Sequence, residues 1–178
     1  MKKVLLFFLL VVVFSCSKDI DELDPPTETG AGTFGAKVNG VLWAPQGFGI
    51  VPTAPILEAR FGGGNSIFIN ARNFGSSPTE SEFELYIQNI TGPGTFLLNQ
   101  NSGKYPGQSG SYGYYVERRF TPTNEWITSL HNTGKIEVTK FDLTNKIISG
   151  TFEFNALNLY GTPSPLTVTE GRFDVKIK

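Results

Sequence analysis

The chain has 178 residues, 15 lysines and arginines against 16 aspartates and glutamates, one cysteine and one histidine. That length suits a single domain of moderate size, and the near balance of charge gives no basic surface of the kind nucleic acid requires. A single cysteine excludes an intramolecular disulfide, and the single histidine, His131, excludes metal sites built on two histidines.

Met1, Lys2 and Lys3 open the chain with positive charge, Val4 to Phe14 is an unbroken apolar run, and the small residue Ser15 stands before Cys16. This is the anatomy of a secretory signal peptide over residues 1–15. Its apolar run is well short of the roughly 20 residues that cross a bilayer as a helix. Val13-Phe14-Ser15-Cys16 resembles the lipobox of bacterial lipoproteins, and that resemblance implies acylation of Cys16 after cleavage. Each buried methylene contributes about 0.8 kcal/mol, so two or three chains on one residue make a lasting membrane anchor. Cleavage removes Lys2 and Lys3 and no acid, leaving 13 basic against 16 acidic residues, a formal charge near −3.

Residues 16–32, with Asp19, Asp21, Glu22 and Asp24 followed by Pro25-Pro26 and a Thr, Glu, Gly and Ala stretch, read as a disordered acidic tether. Such a chain reaches about 20 to 25 Å. Lys18 followed by acids so near Cys16 resembles the surface-export signal of Bacteroidota lipoproteins. Asp19, Asp21 and Asp24 also approach the spacing of a calcium loop, but the loop's central glycine and distal glutamate are not in place.

Residues 33–178 read as one all-β domain. Phe34 to Val38 alternates, Asn39-Gly40 supplies a two-residue turn with positive φ at both centres, and Val41 to Trp43 resumes, which predicts a hairpin. Further strands are predicted at Ile56 to Phe61, Ser66 to Arg72, Phe83 to Gln88, Ser111 to Glu117, Trp126 to Thr128 and Lys135 to Phe141. Gly62-Gly63-Gly64-Asn65 reads as a hairpin connection. In the Phe83 to Gln88 segment Phe83, Leu85 and Ile87 point inward while Glu82, Glu84, Tyr86 and Gln88 face solvent. Phe120 to His131 has room for a turn of helix at most. Ile148, Gly150, Phe152, Phe154 and Ala156 define a long central strand. In the last strand Leu166 and Val168 are inward on even positions and Phe173, Val175 and Ile177 on odd ones, so a β-bulge is predicted near Gly171. Nine to eleven short strands predict a single antiparallel β-sandwich, with a closed calycin-like β-barrel as the alternative.

Three segments, Phe34-x-Ala36-x-Val38-Asn39-Gly40-x-x-Trp43, Gly150 to Ala156 and Thr169-Glu170-Gly171-Arg172-Phe173-Asp174-Val175, resemble a family of uncharacterised Bacteroidota lipoproteins. The resemblance implies an all-β fold and an envelope location, and brings no catalytic residue with it.

Among chemistry-bearing groups, Glu82 and Glu84 sit at i and i+2 on one strand face, about 7 Å apart at the backbone, a spacing that solvated strand faces share with glycosidase pairs. No Gly-x-Ser-x-Gly turn accompanies His131, which reads as a loop residue. The unusual stretch is Lys104 to Tyr115, which crowds Tyr105, Tyr112, Tyr114 and Tyr115 among glycines. Tyrosine supplies a flat ring and a hydroxyl, suited to stacking on a sugar or gripping a protein, so these four are the expected contact residues for a glycan or envelope protein partner. The other reading is a strand whose rings cover the core. Taken together, the sequence predicts an outer-membrane, lipid-anchored binding module displayed at the cell surface, with the periplasmic leaflet as the alternative location, and without cofactor, metal or catalytic residues. A structural subunit of an envelope complex is the alternative, and a hydrolase comes last.

Overall fold

The computed structural model describes residues 21–47, 55–76, 79–161 and 164–178, so the expected signal peptide and Cys16 lie outside the described residues. The described chain is all-β, with eleven strands in chain order: β1 (Thr33–Val38), β2 (Val41–Trp43), β3 (Leu57–Gly62), β4 (Ser66–Asn73), β5 (Glu80–Ile87), β6 (Gly94–Leu97), β7 (Tyr112–Arg118), β8 (Pro122–Ile127), β9 (Gly134–Asp142), β10 (Ile147–Asn158) and β11 (Leu166–Lys176). The β1–β2 turn is the predicted one, with Asn39 at φ 49° and Gly40 at φ 82° and Val38 opposite Val41. In the β3–β4 connection Gly64 and Asn65 both take positive φ. β6, too short to alternate visibly, was not predicted, and the Phe120 to His131 stretch holds β8 rather than a helical turn.

The strands run β2-β1-β11-β10-β8-β7-β5-β4-β3, with β9 added to β10 and β6 added to β9. β10 carries the chain around a corner: Ile147 to Phe154 pair with β9, while Leu157 and Asn158 pair with Ile127 and Trp126 of β8. On the opposite side Ala59 of β3 bridges to Ile177, and the Lys178 amide donates to the Ala59 carbonyl at 2.9 Å. The antiparallel sheet therefore curls over itself. Its two halves face each other like a sandwich, and the joins at β10 and Ile177 give it a barrel's continuity.

The bulge in β11 is where the phase slip placed it. Phe152 faces Gly171 and Phe154 faces Val168, so Thr169 and Glu170 together oppose one residue, and Glu170 takes φ 53°. The bulge keeps Val168 and Phe173 both on the inner face, which a regular strand would not do. Between the halves, Phe83 lies at the centre of an aromatic cluster, with ring centroids 4.7 Å from Trp43, 4.8 Å from Tyr115, 5.6 Å from Phe34 and 5.9 Å from Phe152.

The expectation of a free tether over residues 16–32 needs correction in its second half. The Asp174 carboxylate on β11, itself buried, accepts from Thr27 Oγ1 at 2.6 Å, the Gly30 amide at 2.8 Å, the Thr29 amide at 3.0 Å and the Ala31 amide at 3.1 Å. Ser149 on β10 donates a further bond at 2.7 Å. Arg172 donates to the Asp24 carbonyl and Lys140 to the Glu28 carbonyl, at 2.8 and 2.9 Å. The Leu23 side chain occupies the space beside Gly35 that a larger residue would need. Composition suggested solvation for this segment, but one buried carboxylate supplies acceptors for its backbone, and the segment becomes a strap across the outer face of β1, β11 and β10.

Candidate functional site

The opposite half of the sheet has the outer face with the densest polar chemistry. Strand alternation and register bring its outward side chains into rows: Arg60, Phe68, Tyr86 and Tyr112, then Asn70, Glu84, Tyr114 and Ile127, then Arg72, Glu82, Val116 and Glu125. The first expectation for this face, that it is wet, holds only in part. Phe68, Tyr86, Tyr112, Tyr114, Val116 and Ile127 form a second buried apolar cluster, separate from the core between the sheet halves.

The cover over this cluster is the segment 99–111, between β6 and β7. It closes on itself: Ser102 Oγ receives the amides of Ser109 and Gly110 at 3.1 and 3.3 Å and itself bonds to the Gly110 carbonyl, and the Gly107 amide donates to the Lys104 carbonyl. Such a loop, packed by its own side chains, is an Ω-loop. Two of its residues, Lys104 and Tyr105, hold it down on the aromatic floor. Its Tyr105 amide donates to the Tyr112 hydroxyl at 3.0 Å, and the Tyr105 ring meets Phe68 edge-on at 5.4 Å. The Arg60 guanidinium lies over Phe68 and reaches the Tyr105 ring as well, at 4.2 and 5.2 Å. Lys104 bonds to the Glu125 carboxylate and stands 5.3 Å from the centre of the Tyr114 ring.

Glu125 is the hub. Its Oε2 accepts from Lys104 Nζ and from Tyr114 Oη at 2.6 Å, and its Oε1 accepts from Tyr160 Oη at 2.8 Å. Burial works against its charge, but the bonds from Lys104, Tyr114 and Tyr160 outweigh burial and hold the carboxyl below its ordinary range. The neighbouring acids are also engaged: Glu84 accepts from Tyr112 and Asn70, and Glu82 accepts from Asn70 and Arg118 and forms an ion pair with Arg72. The Glu82 and Glu84 pair is thus tied into an ion and hydrogen-bond network, and His131 is exposed in the loop after β8, away from that network.

The four tyrosines expected to contact a partner fall in different places. Tyr115 faces inward, beside Phe83 and Trp126, and belongs to the core. Tyr112 and Tyr114 share the outer face as expected, yet Tyr112 is 0% exposed and Tyr114 is buried beneath the loop, so neither ring offers a stacking surface in this arrangement. Tyr105 alone is open, at 52%. Alternation assigned the faces but gave no sign that a loop folds back over one of them. Sequence reasoning missed Glu125, Lys104, Tyr160 and Asp174. Glu125 carried no periodic signal, because the two residues after it, Trp126 and Ile127, are both apolar and bury on opposite faces of β8.

Burial, reinforced by the adjoining Glu84, raises the Tyr112 hydroxyl well above its ordinary range. Burial and the bond to Glu125 do the same for Tyr114, and burial pushes Tyr115 up to about 12. Alkaline spectrophotometric titration should therefore leave at least three of the six tyrosines un-ionised near pH 11, about one unit above the ordinary phenol value. Because these folded values are raised, their stabilisation is complete below about pH 10 and declines as pH rises further. All six ionising together in a folded chain would contradict the burial described.

What this geometry defines as a class is an antiparallel all-β domain with one outer face strapped by its N-terminal segment and the other covered by an Ω-loop. Residues 31–175 match the family described as a domain of unknown function, DUF6252, and the chain belongs to that family. No curated protein and no solved structure matches the chain.

Proposed function

We propose that this chain is a lipid-anchored envelope protein, held in the outer membrane through Cys16 and displayed at the cell surface, whose domain binds a partner rather than transforming a substrate. The reading is supported by the signal peptide ending at the single cysteine. It gains a spatial consequence from the strap. With Leu23 already against β1, only residues 17–22 separate Cys16 from the domain, and the seven Cα steps from Cys16 to Leu23 span at most about 25 Å when fully extended. The anchor thus keeps the domain close to the lipid surface in a restricted orientation.

The observation that carries the binding half of the reading is an exposed apolar rim. Leu157, Leu159 and Tyr160, at 50%, 51% and 53% exposure, follow one another at the end of β10, with Tyr160 bonded to Glu125. Exposed apolar side chains beside a polar hub suit a protein contact better than bulk water. Cross-linking in intact envelopes tests it: wild type should capture a partner that the double variant Leu157→Asp, Leu159→Asp does not. Equal capture by the two proteins, or none by either, would overturn the assignment.

A further inference from the structure

Resting on the binding role just proposed, we infer that the Glu125 hub is a seat for an ammonium group, that Lys104 of the Ω-loop fills it as an internal stand-in, and that a lysine of a partner protein takes its place when the loop lifts. The seat has the parts a primary ammonium uses. The Glu125 carboxylate supplies the charge, the Tyr114 hydroxyl stands 3.4 Å from the ammonium with its ring centre 5.3 Å away, and Tyr114 and Tyr160 fix the carboxylate by donating to its two oxygens. Lys104 is the one cation that pairs with Glu125 among the described residues.

Two features mark the Lys104 contact as exchangeable rather than as part of the domain's frame. The loop bonds the Ser109 and Gly110 amides and the Gly110 carbonyl internally through Ser102, so these bonds survive when it moves as a unit. Its closed state is also imperfect, for Gln108 Oε1 is buried within it with no hydrogen-bond partner. Lifting the loop breaks the Tyr105 contacts with Phe68 and Tyr112, a loss that a partner covering the same rings offsets. Exchanging one ammonium for another leaves the buried carboxylate compensated throughout, whereas opening the seat with nothing to replace Lys104 would strand it. The partner's chemistry follows from the surroundings: the seat takes the cation, and Leu157, Leu159 and Tyr160 at its margin take apolar residues flanking that cation.

The test uses the mature chain from Cys16 to Lys178 with Lys104→Met, which empties the seat but keeps the apolar stem; Lys104→Gln takes its place should the Met variant not fold. Amide NMR signals of Tyr105, Tyr114 and Leu159 are followed while Nα-acetyl-lysine methylamide is added, with the norleucine analogue and maltohexaose as neutral probes. The variant should bind the lysine probe roughly tenfold more tightly than wild type, whose own Lys104 keeps the competent state scarce. Adding Glu125→Gln should abolish that binding, and the norleucine analogue should show none. Indifference of the variant to the lysine probe, equal binding by wild type, or binding of maltohexaose in its place would overturn the inference. None of those results would bear on acylation of Cys16 or on capture through the apolar rim, which are measured separately.

Discussion

Asp174→Ala is expected to cost about 3 kcal/mol, because charge-assisted bonds from Thr27 and Ser149 are lost and the amides of Thr29, Gly30 and Ala31 are left without their acceptor. In a chain of this size that corresponds to a fall in Tm of about 6 to 12 °C. The effect carries a pH signature. Burial opposes the Asp174 charge, but the bonds from Thr27, Ser149, Ala31 and Gly30 prevail and hold the carboxyl well below the usual carboxylate range. A group depressed in this way stabilises the fold above its unfolded value, near pH 4, and loses that contribution as pH falls toward the folded value. Wild type should lose stability steeply below about pH 4, while Asp174→Asn should start lower and show a shallower acid slope. Differential scanning calorimetry across that range reads both quantities. Equal melting temperatures for wild type and Asp174→Ala would mean that the strap is not held as described.

Phe83→Ala should be at least as damaging, at about 4 kcal/mol, because a fully buried ring at the meeting point of Phe34, Trp43, Tyr115 and Phe152 leaves a cavity that both halves of the sheet would have to collapse to fill. The expected drop in Tm is about 8 to 16 °C. Phe120, 91% exposed at the tip between β7 and β8, is the matched control, and Phe120→Ala should change stability by less than about 0.5 kcal/mol. A similar loss from both substitutions, in calorimetry or denaturant titration, would place the core elsewhere.

These two residues show what local sequence makes legible. Phe83 was readable as core because a strand's period of two labels its face directly, and the same rule found the inner face of β10 and the bulge of β11. Asn39-Gly40 was readable because few residue pairs accept positive φ twice. Asp174 was not readable as a clamp: it stands between Phe173 and Val175 on the outer side of a strand, where an acid ordinarily meets water. Its partners, Thr27 to Ala31, lie more than 140 positions away. Tyr112 and Tyr114 illustrate the same limit from the other side. Alternation correctly put both on the outer face, yet whether that face is open depends on where a glycine-rich loop comes to rest. Long-range docking of irregular segments leaves no periodic trace, so the covered face and Glu125 emerged only from the three-dimensional arrangement.

Attachment at Cys16 is tested most directly by mass spectrometry of the N-terminal peptide recovered from the membrane fraction of cells producing the full chain. The mature chain is expected to begin at Cys16 and to carry a diacylglyceryl thioether with an acylated amine. A soluble chain with an unmodified Cys16 thiol would contradict it.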